Sequence, residues 1–192
     1  MTFSAADLFG LARFTLIHPR AGARLVMSLN LPAQARWLAI ALVSIGTAFV
    51  TTIEYALLPV DVRGLLGVQA PSPLLSAGVE VGLLSLVAAL IHWIGRFRGG
   101  QGSYGDALVL VAWLQFLLLG VEALQLVLHL ILPALSDAVG VAGILLMFWL
   151  LTHFVAELHG FRSIVAVLGG ILLALVLIGL ALGLVVMSIA SA

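Results

Sequence analysis

Residues 99–132, GGQGSYGDALVLVAWLQFLLLGVEALQLVLHLIL, decide the fold. From Asp106 to Leu132 the run is long enough, at about 1.5 Å per residue, to cross a bilayer with some tilt. It carries Gln115, Glu122, Gln125 and His129 in what is otherwise plain hydrocarbon. Polar groups at that depth face a bundle interior or find partners. The run must therefore pack against neighbouring segments.

Apolar runs lie on both sides of it. The pattern predicts an all-α, polytopic membrane protein with five transmembrane helices at about 36–58, 74–94, 106–132, 139–158 and 163–189. Residues 1–34 form an N-terminal cytoplasmic and interfacial segment, and residues 35–192 the transmembrane domain. Pro59, Pro73 and Pro133 punctuate the spans. PALSD (133–137) reads as a short turn joining spans 3 and 4 into an antiparallel hairpin, and HGFR (159–162) as the turn into span 5. Gly78 and Gly82 have the spacing for close helix contact, and Gly169, Gly170, Gly179 and Gly183 predict a close-packing face on span 5. The Gly- and Pro-rich link 59–73 is expected to lie against the far surface.

Two short amphipathic helices are expected at the interface before span 1. In the first, Ser4 caps ahead of Asp7, and Leu8, Leu11 and Phe14 or Thr15 recur at helical spacing. Pro19 ends that helix or starts the next. In the second, Arg20 and Arg24 lie one turn apart and are expected to face phospholipid headgroups. Asn30 and Pro32 mark a break before span 1.

Composition agrees with the spans. Of 192 residues 64% are hydrophobic and only 8% charged, with a mean hydropathy of +1.30. A soluble domain of this size needs far more polar surface. The formal net charge of zero carries no signal for nucleic acid or acidic substrates. The chain has no cysteine, hence no disulfide, thiolate nucleophile or Cys-ligated metal. Asp7 and Arg13 interrupt the first twenty residues, which do not read as a secretory signal.

Arginine sets the expected orientation. With the N-terminus inside, the inner segments hold Arg13, Arg20, Arg24, Arg36, Arg96, Arg98 and Arg162, and the outer ones only Arg63. That asymmetry satisfies the positive-inside rule and places the C-terminus outside after an odd number of spans. A bacterial inner (plasma) membrane is the expected location.

The candidate chemistry falls into two groups. Glu54, Glu80 and Glu122, with Gln115, Gln125 and His129, form an intramembrane polar set. Gln115, Glu122 and His129 recur every seven residues, with Gln125 one turn from two of them, so all are expected broadly on one side of span 3. Such a set is either a buried network fixing helix register or an ion path. The second group lies towards the inner face: His92, Arg96, Arg98, Gly100, Gly102, Gly105, Asp106, His153, Glu157 and His159. His153 and Glu157 are one turn apart but lack the HExxH of zinc proteases, and the structural reading fastens this helix end to Arg162 or to the 96–105 loop. GQGSYG (100–105) lacks the Walker Gly-Lys-Ser/Thr and follows no strand. No serine-hydrolase elbow is present.

HPRAGAR (18–24), GRFRGGQGSYGDALVLVAW (95–113) and HGFRSIVAV (159–167), with five spans, resemble the bacterial branch of the Yip1-domain family over roughly residues 10–190. The pattern positions are Gly100, Gly102, Gly105 and Asp106 in the loop and His159, Gly160 and Phe161 in the turn. The resemblance implies a five-span protein with a cytoplasmic N-terminus and supplies no catalytic residues. Eukaryotic members bind Rab-type GTPases and act in vesicle traffic or membrane shaping. The segment before span 1 is far shorter than their cytoplasmic domain, so Rab binding is not carried over.

The expectation is a non-enzymatic membrane protein that scaffolds, assembles or organises the membrane. Its partners would be membrane lipids and a membrane protein or a second copy, with no nucleic acid, cofactor or metal. The alternative is a small transporter, channel or lipid-moving protein using the intramembrane glutamates.

Overall fold

The computed structural model describes residues 4–58, 60, 62, 63 and 72–190. Among them are seven helices and no strand: α1 (Ala5–Ile17), α2 (Pro19–Ser28), α3 (Ala33–Leu57), α4 (Pro73–Phe97), α5 (Tyr104–Ile131), α6 (Pro133–His159) and α7 (Ile164–Ala190). Five of these, α3 to α7, are long and apolar enough to cross a membrane. The protein is a multi-pass membrane protein. The link expected at the far surface lies outside the described residues at 59, 61 and 64–71.

Helix α5 is the centre. It packs on α3, α4 and α6 and touches α2. From Ala107 to Leu114 every residue is buried. A helix buried all round needs neighbours on every side, and apolar residues all round let it accept them. Ile40, Leu150 and Phe154 fill the space around it. Lipid tails are as apolar as these side chains, so close packing and interhelical hydrogen bonds, more than the hydrophobic effect, hold the bundle. The second half of α5 turns outward, with Leu124, Val127, Leu130 and Ile131 exposed.

The first helices form a hairpin docked at one end of the bundle. Ser4 caps α1 in a reciprocal box: its Oγ accepts from Asp7 N–H at 3.2 Å, and its N–H and hydroxyl donate to Asp7 Oδ2 at 2.9 and 2.7 Å. These bonds hold the Asp7 carboxyl below its usual range, the backbone N–H of Ser4 contributing most. Pro19 opens α2 at its first turn. Pro19, Gly22, Ala23 and Val26 form its buried face. Asn30 has φ 44°, in the left-handed region, and bends the chain towards Pro32, the N-cap of α3. Thr15 is fully buried, accepts from Trp113 Nε1 at 3.2 Å and donates to Leu11 O at 2.8 Å. That bond satisfies the one polar atom of a buried indole and pins the hairpin to α5.

Three expectations need correction. PALSD is not a turn: α6 begins at Pro133, and Leu132 alone separates it from α5. Proline at the first helical position lacks an N–H that would have had no partner anyway, so it starts α6 rather than staying outside. Gly78 and Gly82 do not make close helix contact, and the α7 glycines do not form a close-packing face, because a Cβ at any of these positions would meet nothing within 4 Å. Arg20 and Arg24 do not stand alone at the surface: both reach Glu157 on α6, although the Arg24 side chain stays 72% exposed.

Candidate functional site

The polar residues gather in two places. The first is the end of the bundle where α4 and α6 finish and α5 begins. Helices α4 and α6 stop by the same device. Gly99 (φ 83°) and Gly160 (φ 72°) adopt the left-handed conformation, and the next residue folds back: Gly100 N–H donates to Gly95 O at 2.9 Å and Phe161 N–H to Ala156 O at 2.8 Å. The His159 imidazole, only 4% exposed, lies between the two helix ends. Cβ atoms added at Gly95 or Gly100 would run into that ring, and one at Gly102 would lie 2.9 Å from His159 Cε1 and 2.5 Å from Leu158 Cγ. The glycines are spaces for a histidine.

Hydrogen bonds set the state of this ring. Gly102 N–H points at His159 Nδ1 at 3.2 Å, so Nδ1 accepts. The proton then sits on Nε2, which donates to Ile91 O at 3.1 Å. His92 Nδ1 meets Gly102 O at 2.9 Å and is therefore the donor. One backbone unit of the loop thus joins two histidines from two helices. His159 also stacks on Phe161, with centroids 5.5 Å apart.

Around this core the remaining predicted residues take separate duties. Ser103 Oγ accepts from Asp106 N–H at 3.1 Å and donates to Asp106 Oδ2 at 2.5 Å, capping α5. A Cβ at Gly105 would strike the guanidinium of Arg36, whose Nε donates to Leu31 O at 2.7 Å. Glu157 does not pair with Arg162. It accepts from Arg24 Nε at 2.8 Å, lies 2.7 Å from another Arg24 nitrogen, and is 3.6 Å from Arg20 Nε. Arg20 also donates to Phe161 O. The hairpin is thus strapped to the α6–α7 corner. His153 stays outside the cluster, bonded to Trp149 O at 2.7 Å. Arg96 and Arg98 are exposed.

The second place lies between α3, α4 and α5, with Thr47, Glu80, Gln115 and Glu122 half-buried and Glu54 and His129 exposed. Gln115 Nε2 donates to Thr47 Oγ1 at 3.1 Å. Thr47 in turn lies beside the Glu80 carboxyl group. Glu122 is within electrostatic range of Glu80 and Glu54, and Glu54 of His129. Gln125 departs from this set: its amide lies over Gly140 of α6, and Ser136 Oγ donates to Gln125 O at 3.1 Å. Span 3 therefore presents its polar residues to two neighbours, not one.

Neither of two cavities is lined by these carboxylates. One, of about 10 Å³, is wholly apolar and lies among Ala107, Leu110, Phe154 and Leu158. The other is a cleft of about 470 Å³ at Ser72, Leu74, Leu75, Gly78 and Val79. Among the described residues no group of three or more His, Cys, Asp or Glu is placed to hold a metal ion.

Thr47, the fit of Gly95 to His159, the contact of Arg36 at Gly105 and the Thr15–Trp113 bond escaped the sequence reading. A buried indole needs an acceptor, which was a usable signal for the last. Gly95 offered none, being one glycine among many.

Helices, caps and polar joints together define a multi-pass α-helical membrane protein. Residues 14–184 match the Yip1 domain family, and the chain belongs to it. No curated protein and no solved structure matches the chain.

Proposed function

We propose that the protein is a non-enzymatic scaffold of the inner membrane that assembles or organises membrane components through a protein or lipid partner. The N-terminus and the arginine-rich end face the cytoplasm, and the C-terminus the periplasm. The reading rests on one observation. The His159 ring fills the space beside the loop residues Gly100 and Gly102, and its two nitrogens are spent on the backbone at Gly102 and Ile91. Groups arranged for catalysis keep a lone pair or proton free for a substrate, and these do not. They make a rigid corner that joins α4, α5 and α6 and receives the α1–α2 hairpin, as a scaffold needs.

The alternative is transport along the intramembrane glutamates, favoured by the proximity of Glu54, Glu80 and Glu122. Ion or lipid flux into proteoliposomes, compared for wild type and Glu122→Gln, separates the two. The amide keeps a neutral hydrogen-bonding group, so folding should be nearly intact. The scaffold reading expects no flux difference and co-purification of the same partners. Flux by the wild type that is lost in a folded Glu122→Gln protein would overturn it.

A further inference from the structure

Charge is divided unevenly between the two ends of this bundle. The end holding α1, α2 and the His159 corner has seven of the eight arginines, and its acids are Asp7, Asp106 and Glu157. All three acids are engaged: Asp7 by Ser4, Asp106 by Ser103, and Glu157 by Arg20 and Arg24. Arg13, Arg96, Arg98 and Arg162 are left without a hydrogen bond or ion pair among the described residues. Each is outward-facing.

Large apolar side chains stand beside these cations. Phe97, 90% exposed, lies between Arg96 and Arg98 in sequence, and Phe9, 74% exposed, is one turn before Arg13 on α1. An acidic protein or a nucleic acid would satisfy the arginines and leave the phenylalanines in water. A bilayer surface satisfies both, taking aromatic rings into the acyl boundary and guanidinium groups at the phosphates. We propose that this rim binds the phosphate groups of anionic phospholipids, with Arg96, Arg98 and Arg162 as the main contacts and Phe9 and Phe97 seated in the leaflet. The assignment rests on the membrane-organising reading above and names its lipid.

The test uses the full chain in nanodiscs of mixed phosphatidylcholine and phosphatidylglycerol. Lipids retained after mild detergent extraction are quantified by mass spectrometry. Wild type should retain phosphatidylglycerol above its bulk fraction. Arg96→Gln/Arg98→Gln/Arg162→Gln should lose most of that enrichment, on the order of tenfold or more, since each basic residue at an anionic surface is worth about fivefold. Raising salt should weaken it. The matching triple Lys variant should keep most of it, because the point charge survives. Equal enrichment in wild type and the Gln variant would overturn the proposal. So would equal loss in the Gln and Lys variants, or a Gln variant that unfolds in pure phosphatidylcholine, which would make these arginines structural. An acidic protein that co-purifies regardless of lipid composition and needs the same arginines would also displace it. Partner co-purification unchanged in the Gln variant would sink the lipid assignment while leaving the scaffold reading standing.

Discussion

Gly95→Ala should destabilise the protein strongly, although alanine is the better helix former. The added methyl would occupy the space of the His159 ring. That ring cannot simply rotate away, being 4% exposed and held through Nδ1 to Gly102 and Nε2 to Ile91. Forcing a methyl into such a site costs about 1–3 kcal/mol. Displacing the ring also breaks two hydrogen bonds, at about 1 kcal/mol each. Helix propensity returns about 1 kcal/mol. The net loss is about 2–4 kcal/mol, or roughly 5–15 °C in unfolding midpoint for a chain of this length. Thermal unfolding in nanodiscs, followed by tryptophan fluorescence, measures it. Gly82→Ala on the same helix is the control: its Cβ would meet nothing within 4 Å, so it should show only the helix-propensity gain, a rise of about 2–4 °C in midpoint. In Gly95→Ala/His159→Ala the obstacle is gone, and the cost of the first substitution should largely vanish. A Gly95→Ala protein as stable as wild type, or a cost that persists without the histidine ring, would refute this account of the corner.

Other perturbations test neighbouring joints. Glu157→Gln should lower global stability by less than about 1 kcal/mol, because the Arg24 partner is largely in solvent, yet should speed amide exchange in α1 and α2; unchanged exchange there would show that the ion pairs do not hold the hairpin. Thr47→Val removes the hydroxyl that accepts from Gln115 and should cost about 1–3 kcal/mol, with Thr47→Ser recovering most of it; equal midpoints for Val and Ser would show that this bond does not hold α3 to α5. Because the Asp7 carboxyl is held below its usual range, its contribution to the start of α1 is present at neutral pH and is lost as pH falls through that lowered value. Protection of the first-turn amides of α1, relative to their intrinsic exchange rates, should therefore fall in acid; Asp7→Asn should abolish the dependence, and Ser4→Ala should only reduce it, because its backbone N–H still donates to Asp7.

The membrane spans were legible because length and apolarity are local properties. The interior joints were not, because each is made by residues far apart in sequence. Glu157 meets an arginine 133 positions away, and an i,i+4 pair of arginines reads equally well as a headgroup contact. Glycines show the same limit. The spacing of Gly78 and Gly82 matches close helix contact, but spacing does not say whether a neighbour lies on that face. Gly95, Gly100 and Gly102 share no regular spacing, yet the space beside all three is taken by the His159 ring. The polar residues of α5 failed by a small angle: Gln125 is only about 60° round the helix from Glu122, enough to meet α6 instead of α3 and α4.

What the corner can do follows from where its lone pairs go. In the neutral imidazole one nitrogen donates and the other accepts, and here both are committed to backbone groups. While the loop is closed, His159 offers no lone pair to a metal and no proton to a substrate. Protonating Nδ1 would set its hydrogen against the N–H of Gly102, so acid should oppose the closed loop. Any chemistry at His159 must therefore wait for residues 100–102 to open, and opening frees the N–H of Gly102 to exchange with solvent. The exchange rate at that amide is the most direct measure of whether this corner is a fixed joint or a working part.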